Sequence, residues 1–90
     1  MNSYSSNVTK VIAHGFRRRE INGEIVFEAL PKPTKDVIER IQAEAGRELS
    51  FDYGCYVMAS GGSLSCYNEG SCADCILRET GNDAYCGCVI

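Results

Sequence analysis

The spacing of hydrophobic and polar positions first predicts a β-hairpin near the N-terminus. β-Branched residues around Val8–Phe16 and the run Ile25–Leu30 flank the pair Asn22-Gly23. Asn-Gly between two such runs is a strong hairpin signal, because a type I′ turn needs a positive φ at both central residues. Folding about this turn predicts three cross-strand pairs: Arg17 with Glu28, Arg18 with Phe27, and Phe16 with Ala29.

An amphipathic helix is predicted next, between Thr34 and Gly46. Pro31 and Pro33 end the preceding strand, because proline cannot donate a ladder hydrogen bond. Thr34 is the predicted N-cap, and Asp36 lies in the first turn, where the helix dipole favours negative charge. Gly46 is the predicted C′ residue. The apolar side follows the helical spacing i, i+3, i+4 through Val37, Ile38, Ile41, Ala45 and Leu49.

From Leu49 the hydrophobic period becomes two, which predicts a strand that runs to Met58. Ser60–Ser63 is the predicted turn, and Leu64–Asn68 is the returning strand. Centring the turn between residues 60 and 61 predicts that one face carries two cross-strand pairs: Cys55 with Cys66, and Val57 with Leu64.

Together these elements predict one α+β domain over residues 1–90. Residues 1–49 supply the hairpin and the helix, and residues 50–90 supply the second hairpin and a cysteine-rich C-terminal segment. In that segment we expect a short helical turn over Cys72–Thr80, a turn over residues 81–83, and a last strand over Ala84–Ile90. The apolar fraction of 44% and the charged fraction of 23% are typical of a globular domain.

Charge and cysteine content divide the chain further. Residues 50–90 hold all six cysteines and one basic residue, Arg78, against five acidic residues. The polar N-terminal segment lacks the continuous apolar run of a secretory signal, which predicts a cytoplasmic protein. No apolar run approaches the roughly 20 residues that span a bilayer, so no membrane association is predicted. In a reducing cytosol, closely spaced cysteines bind metal more often than they form disulfides.

The cysteine spacing predicts a structural zinc site. Zinc binds four thiolates in a tetrahedron, and two close pairs of cysteines can each contribute two ligands. The predicted ligands are Cys72, Cys75, Cys86 and Cys88, with Gly87 allowing a tight turn inside the second pair. Cys55 and Cys66 are alternative ligands in place of Cys86 and Cys88, or otherwise core thiols or a cross-strand disulfide. Four thiolates leave no open coordination position, so this zinc would not be catalytic.

Two alternatives to zinc stay open. Six is an even number of cysteines, so a small domain held by three disulfides is also consistent with the sequence. The segment from Ser60-Gly61-Gly62 onward also resembles the precursors of ribosomally made, modified peptides, in which a double glycine ends a leader and a Cys/Ser/Thr-rich core follows. The resemblance implies a core after Gly62 that is disordered when unmodified, with dehydrated residues from Ser63, Ser65, Ser71 and Thr80.

The functional prediction is a small non-enzymatic binding protein that acts as an adaptor, regulator or inhibitor. His14 is the only histidine, and no nucleophile–base pair is apparent. A protein of a virus or mobile element that blocks a host factor belongs to the same class. We expect a protein partner, and the predicted contact anchors are exposed tyrosines: Tyr4, Tyr56, Tyr67 and Tyr85.

The basic cluster Arg17–Arg19 argues only weakly for nucleic acid. On a strand, alternate arginines point to opposite faces, so the triplet is not one patch. Glu20, Glu24 and Glu28 lie close enough to neutralise it. We therefore predict an ion-paired hairpin and no nucleic-acid partner.

Overall fold

The structure, a computed structural model, describes residues 3–90. Over this range the α+β class predicted from the sequence is confirmed, with one helix and mostly antiparallel strands. The elements in chain order are β1 Ser3–Ser5, β2 Val11–Ala13, β3 Gly15–Ile21, β4 Glu24–Leu30, α1 Lys35–Ala45, β5 Leu49–Ser50, β6 Cys55–Ser60, β7 Ser63–Asn68, β8 Cys75–Thr80 and β9 Asp83–Val89.

The strands form two antiparallel sheets. Sheet A has the order β1-β4-β3-β9-β5, with β8 also paired to β9, and sheet B has the order β2-β6-β7. One core cluster joins residues of both sheets, and its largest fully buried side chains are Phe16, Phe27 and Val57. A second cluster joins the opposite side of sheet A to Ile41 of α1. Sheet A is therefore the middle layer, with α1 on one side and sheet B on the other.

The first hairpin has the predicted turn and the predicted register. Asn22 and Gly23 have φ values of 52° and 81°, as a type I′ turn requires. Strands β3 and β4 then pair as expected: Arg17 with Glu28, Arg18 with Phe27, and Phe16 with Ala29. Local turn chemistry was therefore sufficient to fix this part of the fold.

Helix α1 also begins and ends as predicted. The Thr34 hydroxyl accepts a hydrogen bond from the Val37 amide at 3.4 Å, and Gly46 adopts a left-handed conformation with φ 70°. The Gly46 amide donates to the Gln42 carbonyl. The predicted apolar side packs on sheet A through buried Ile41, although Leu49 lies beyond the helix in β5.

The cap at Thr34 gives a first testable prediction. Thr34→Ala is expected to lower the free energy of unfolding by about 1 kcal/mol, because the Val37 amide loses its side-chain acceptor. Urea denaturation followed by circular dichroism measures this change. Thr34→Ser keeps the hydroxyl and should retain most of the stability, and equal losses in the two variants would contradict the capping role.

The second hairpin differs from its predicted register by two residues. The turn is centred on Gly61 and Gly62, whose φ values of 57° and 87° are both positive, and not between residues 60 and 61. Cys66 is therefore opposite Val57, and Leu64 is opposite Ala59, so both predicted pairs, Cys55 with Cys66 and Val57 with Leu64, are wrong. Because the shift is even, Cys66 stays on the inner face that it was predicted to share with Cys55 and Val57.

The predicted long strand from Leu49 to Met58 is interrupted. Residues 51–54 form a bend between β5 and β6, and Gly54 there has a φ of 86°. A side chain on Gly54 would come within 2.8 Å of the Cys72 Cβ atom. This close approach brings the loop before β8 against the start of β6.

The helical turn predicted over Cys72–Thr80 is wrong, and the last strand is confirmed. Residues 75–80 form β8, which pairs along its whole length with β9 through a tight turn at Gly81 and Asn82. The backbone N–H and C=O groups of β8 and β9 bond one another, whereas a lone helical turn would leave most of these groups without a partner. Among residues 3–90, no helix is long and apolar enough to cross a membrane.

Candidate functional site: a disulfide cluster beneath a tyrosine face

All six cysteines are joined in three disulfides. Their Cα–Cα distances lie between 5.7 and 5.9 Å, within the usual range for such bonds. Two of the bonds connect sheet B to sheet A, and the third ties the loop before β8 to β9. The pairs are Cys55 with Cys75, Cys66 with Cys86, and Cys72 with Cys88.

The pattern follows from the strands that carry the cysteines. Cys86 and Cys88 are two residues apart in β9, so their side chains point to the same side of sheet A, the side that faces sheet B. Each therefore bonds a cysteine outside its own strand. The Cys-x-Cys spacing, which predicted a metal-binding turn, here places two sulfurs along one strand.

The four predicted zinc ligands do gather in one region, but not as a separate group. Cys72 bonds Cys88, whereas Cys75 and Cys86 bond the two cysteines predicted only as alternative ligands, Cys55 and Cys66. The structure thus supports the disulfide alternative more directly than the zinc site. The four-thiolate zinc site stays a prediction for the reduced chain.

The three disulfides are also close to one another. The Cys55 sulfur belongs to two groups of three sulfurs, each group within 4.8 Å: one with Cys72 and Cys88, the other with Cys75 and Cys86. Four of the six cysteines are buried, and Cys66 and Cys75 are partly exposed. The cluster is therefore a continuous sulfur network in which two of the six cysteines are partly exposed.

A group of mainly aromatic and apolar side chains lies on the outer side of sheet B, away from the disulfides. In β6, buried inner residues alternate with partly exposed outer ones, among them Tyr56 and Met58. Tyr56 is directly opposite Tyr67, and Met58 is opposite Ile12. We call this surface the tyrosine face; it consists of Ile12, His14, Tyr56, Met58 and Tyr67. None of its members belongs to either core cluster.

Cationic and aromatic groups lie side by side on the tyrosine face. The rings of His14 and Tyr56 have centroids 5.6 Å apart. The Lys10 ammonium group lies 6.0 Å from the centre of the Tyr67 ring. The segments that build this surface, residues 10–14, 56–60 and 63–67, contain no Asp or Glu, although the whole chain has a net charge of −3. The face is thus locally neutral to positive.

The four predicted tyrosine anchors have different surroundings. Tyr85 is only 6% exposed and packs edge-on against Phe51, so its predicted exposure is wrong. Burial raises the pKa of the Tyr85 hydroxyl, and nearby Asp83 adds to this effect. Tyr4 packs edge-on against the core residue Phe16. Tyr56 and Tyr67 are the two predicted anchors that share one outer surface.

The arginine cluster is ion-paired, but within residues 3–90 only Glu28 of the predicted partners pairs with it, and the others are Asp83 and Glu79. Arg17 donates two hydrogen bonds to Asp83, at 2.7 and 3.2 Å, and these contacts raise the pKa of the Arg17 guanidinium. Arg19 donates to the buried Glu28 carboxylate at 3.3 Å. Arg18 lies over the Phe27 ring on the other face of the strand. The absence of a nucleic-acid partner stays a prediction.

Comparison of the chain with protein-family models, with curated proteins and with solved structures finds no match. Functional inference therefore depends on the two features described above, the sulfur network and the tyrosine face. The first determines how the sheets are held together. The second presents aromatic side chains to whatever lies outside sheet B.

Proposed function

We propose that the chain is a disulfide-stabilised, non-enzymatic binding protein that docks a protein partner on the tyrosine face. The observation that supports it is the cross-strand pair of Tyr56 and Tyr67 on the outer side of sheet B, outside both core clusters. Tyrosine and methionine are enriched in protein interfaces, and tyrosines supply much of the binding energy there. Ile12 is 40% exposed and extends the apolar part of the surface.

Charge favours an acidic partner surface. Lys10 lies beside Tyr67, and His14 lies beside Tyr56, with no carboxylate in the surrounding segments. Opposite charge across an interface accelerates association and disfavours wrong partners. Because the whole chain has a net charge of −3, a surface whose segments hold no carboxylate is well suited to a negatively charged partner.

The disulfides support docking by holding sheet B rigid. Cys66 follows Ser65 in β7 and precedes Tyr67, and its bond to Cys86 fixes this strand to β9. Cys55 precedes Tyr56 in β6, and its bond to Cys75 fixes that strand to β8. Each tyrosine is thus adjacent to a cross-linked cysteine. A surface that is rigid before binding loses less entropy when the complex forms.

The same bonds favour an oxidising compartment over the cytoplasm predicted from the sequence, since disulfides persist where thiols are not kept reduced. In the fully oxidised chain they also leave no cysteine free to act as a catalytic nucleophile. The one histidine packs against a tyrosine ring. Both points support a binding role over catalysis.

The experiment is a selection followed by affinity measurement. A phage-displayed library of random peptides is selected on the immobilised oxidised protein, and recovered peptides are titrated by fluorescence anisotropy. We expect recovered peptides to combine acidic and apolar residues. Tyr56→Ala and Tyr67→Ala should each weaken their binding about tenfold or more, as loss of an interface anchor does.

Tyr53 provides the matched control, because it is 51% exposed and lies in the bend outside the tyrosine face. Tyr53→Ala should leave the affinity unchanged. All three variants should unfold at similar temperatures. Equal losses at Tyr53 and Tyr56, or unchanged binding in both face variants, would refute docking on this surface.

A structural zinc ion in the reduced chain is the second candidate, favoured by the two groups of sulfurs within 4.8 Å of one another. Native mass spectrometry separates the two states. The disulfide protein should be six hydrogens lighter than the reduced chain and insensitive to chelator. A zinc protein should retain one ion per chain and unfold when the ion is removed.

The peptide-precursor alternative has less support. It predicted disorder after Gly62 in the unmodified chain. Residues 63–89 instead contain β7, β8 and β9, which pair with strands of both sheets. A folded C-terminal third therefore favours a binding protein over a peptide precursor.

A further inference from the structure

We propose that the sulfur network is a thiol–disulfide exchange relay that connects two partly exposed cysteines, Cys66 and Cys75. The proposal is independent of docking on the tyrosine face. Its co-reactant is a low-molecular-weight thiol of the glutathione class. The relay converts attack on one of these two cysteines into release of a thiolate at the other.

The geometry provides a path through the interior. Cys75 bonds Cys55, and Cys66 bonds Cys86. The sulfurs of Cys55, Cys75 and Cys86 all lie within 4.8 Å of one another. The Cys86 sulfur therefore lies within 4.8 Å of both sulfurs of the Cys55–Cys75 bond, and a movement of at most about 3 Å brings the Cys55 and Cys86 sulfurs to bonding distance.

Exposure determines where an external thiol enters. Cys55 and Cys86 are 4% and 1% exposed, whereas their partners Cys75 and Cys66 are partly exposed. Thiol–disulfide exchange proceeds by attack of a thiolate on one accessible sulfur of the bond. Attack is therefore directed to the outer sulfur of each disulfide, and the inner sulfur leaves.

The steps balance without any net oxidation. A glutathione thiolate attacks the Cys75 sulfur, which forms a mixed disulfide there and breaks the bond to Cys55. The released Cys55 thiolate attacks the Cys86 sulfur, which forms a Cys55–Cys86 bond and releases the Cys66 thiolate. Attack at Cys66 starts the mirror path: a mixed disulfide forms on Cys66, and the released Cys86 thiolate attacks the Cys55 sulfur, which forms the Cys55–Cys86 bond and releases the Cys75 thiolate. In each path one glutathione thiolate is consumed and one cysteine thiolate is released.

Burial also explains why the third disulfide stays intact. The Cys55 sulfur lies equally within reach of Cys72 and Cys88. Both of those cysteines are buried, at 7% and 4% exposure, so either would leave as a thiolate in apolar surroundings. Burial disfavours the charged form, so the thiolate that Cys55 carries transiently after the first step is transferred to Cys66, which is partly exposed, and not to Cys72 or Cys88. Exchange through Cys86 is therefore favoured over exchange through Cys72–Cys88.

The test is partial exchange followed by mapping. The oxidised full chain is incubated with about one equivalent of glutathione, alkylated with iodoacetamide and digested for mass spectrometry. We expect glutathione on Cys75 with alkylated Cys66, the mirror product, and a new Cys55–Cys86 linkage in both. Alkylated Cys66 should exceed alkylated Cys55 by about tenfold, because burial of a thiolate shifts such equilibria by a decade or more.

Two paired variants serve as controls. Removing Cys72 and Cys88 together by alanine substitution should leave the relay products unchanged. Removing Cys66 and Cys86 together removes the acceptor bond, so the alkylated thiol should be found at Cys55 with glutathione on Cys75. If the wild-type chain instead carries its free thiol at Cys55 or Cys86, or exchanges Cys72–Cys88 first, the relay is refuted.

Discussion

Complete reduction of the three disulfides is expected to unfold the protein. The bonded cysteines are 20, 20 and 16 residues apart, and closing a loop of this length stabilises a fold by about 3 kcal/mol. The three loops overlap, so their contributions are not additive. Their combined effect is still comparable to the roughly 5–15 kcal/mol by which small domains are stable.

The reason for so large an effect lies in the first core cluster. Four of its eight buried members are cysteines: Cys55, Cys72, Cys86 and Cys88. These side chains fill the space between the sheets only when bonded at disulfide distance. Reduction separates each pair of sulfurs to van der Waals contact, so it removes the cross-links and overpacks the same interior.

Circular dichroism and ¹H–¹⁵N correlation spectra, recorded with and without a phosphine reductant, measure this prediction. The oxidised protein should give dispersed spectra that a chelator does not change. The reduced protein should lose its dispersion in metal-free buffer. A reduced, metal-free chain that keeps the native spectrum would show that packing alone holds the sheets together.

The two hairpins show which part of the fold was predictable from sequence. In the first, Asn22-Gly23 admits one turn centre, so the register and the pairing of Arg17 with Glu28 were correct. In the second, the segment from Ser60 to Ser63 admits two centres, and only the positive φ of both Gly61 and Gly62 distinguishes them. A two-residue error followed directly from that ambiguity.

Because of the same register error, the sequence did not predict that Tyr56 and Tyr67 are neighbours on the tyrosine face. The predicted register placed Ser65 opposite Tyr56, whereas the observed register places Tyr67 there. Alternation alone does indicate that Tyr56 and Met58 share the side opposite Val57. The contribution of His14 depends on strand β2 pairing with β6, a contact between distant parts of the chain that no local signal specifies.

The disulfide connectivity could not be predicted from the sequence either, because it also depends on contacts between distant strands. Six cysteines allow 15 pairings, and their spacing does not select one. The observed pairing follows from the stacking of sheet B on sheet A, which brings β6 over β9 and β7 over β8 and β9. The sequence did predict that Cys55 and Cys66 face the interior of sheet B. It could not show which sulfurs of sheet A would meet them.

Gly15→Ala is expected to be the most destabilising single-methyl substitution in sheet A. Gly15 lies in β3 between Leu30 of β4 and Tyr85 of β9. A Cβ atom there would lie 2.6 Å from the Ala84 carbonyl oxygen and 2.6 Å from a carbon of the Tyr85 ring. The first of these is backbone within the sheet, and the ring is buried against Phe51, so neither can move freely. We expect a loss of about 2–3 kcal/mol, the upper range for overpacking.

Gly87→Ala is the matched control, because Gly87 also lies in a strand and packs toward the second core cluster. The nearest atoms to its added Cβ are the Leu49 Cβ at 3.0 Å and the Phe51 Cζ at 3.1 Å, so the displacement needed is a few tenths of an ångström, smaller than at the 2.6 Å contacts of Gly15. Its cost should be about 1 kcal/mol. Urea denaturation of both oxidised variants measures the difference. Equal costs at Gly15 and Gly87 would show that β3 can move away from β9, and that the contact of Tyr85 with Gly15 does not fix the centre of sheet A.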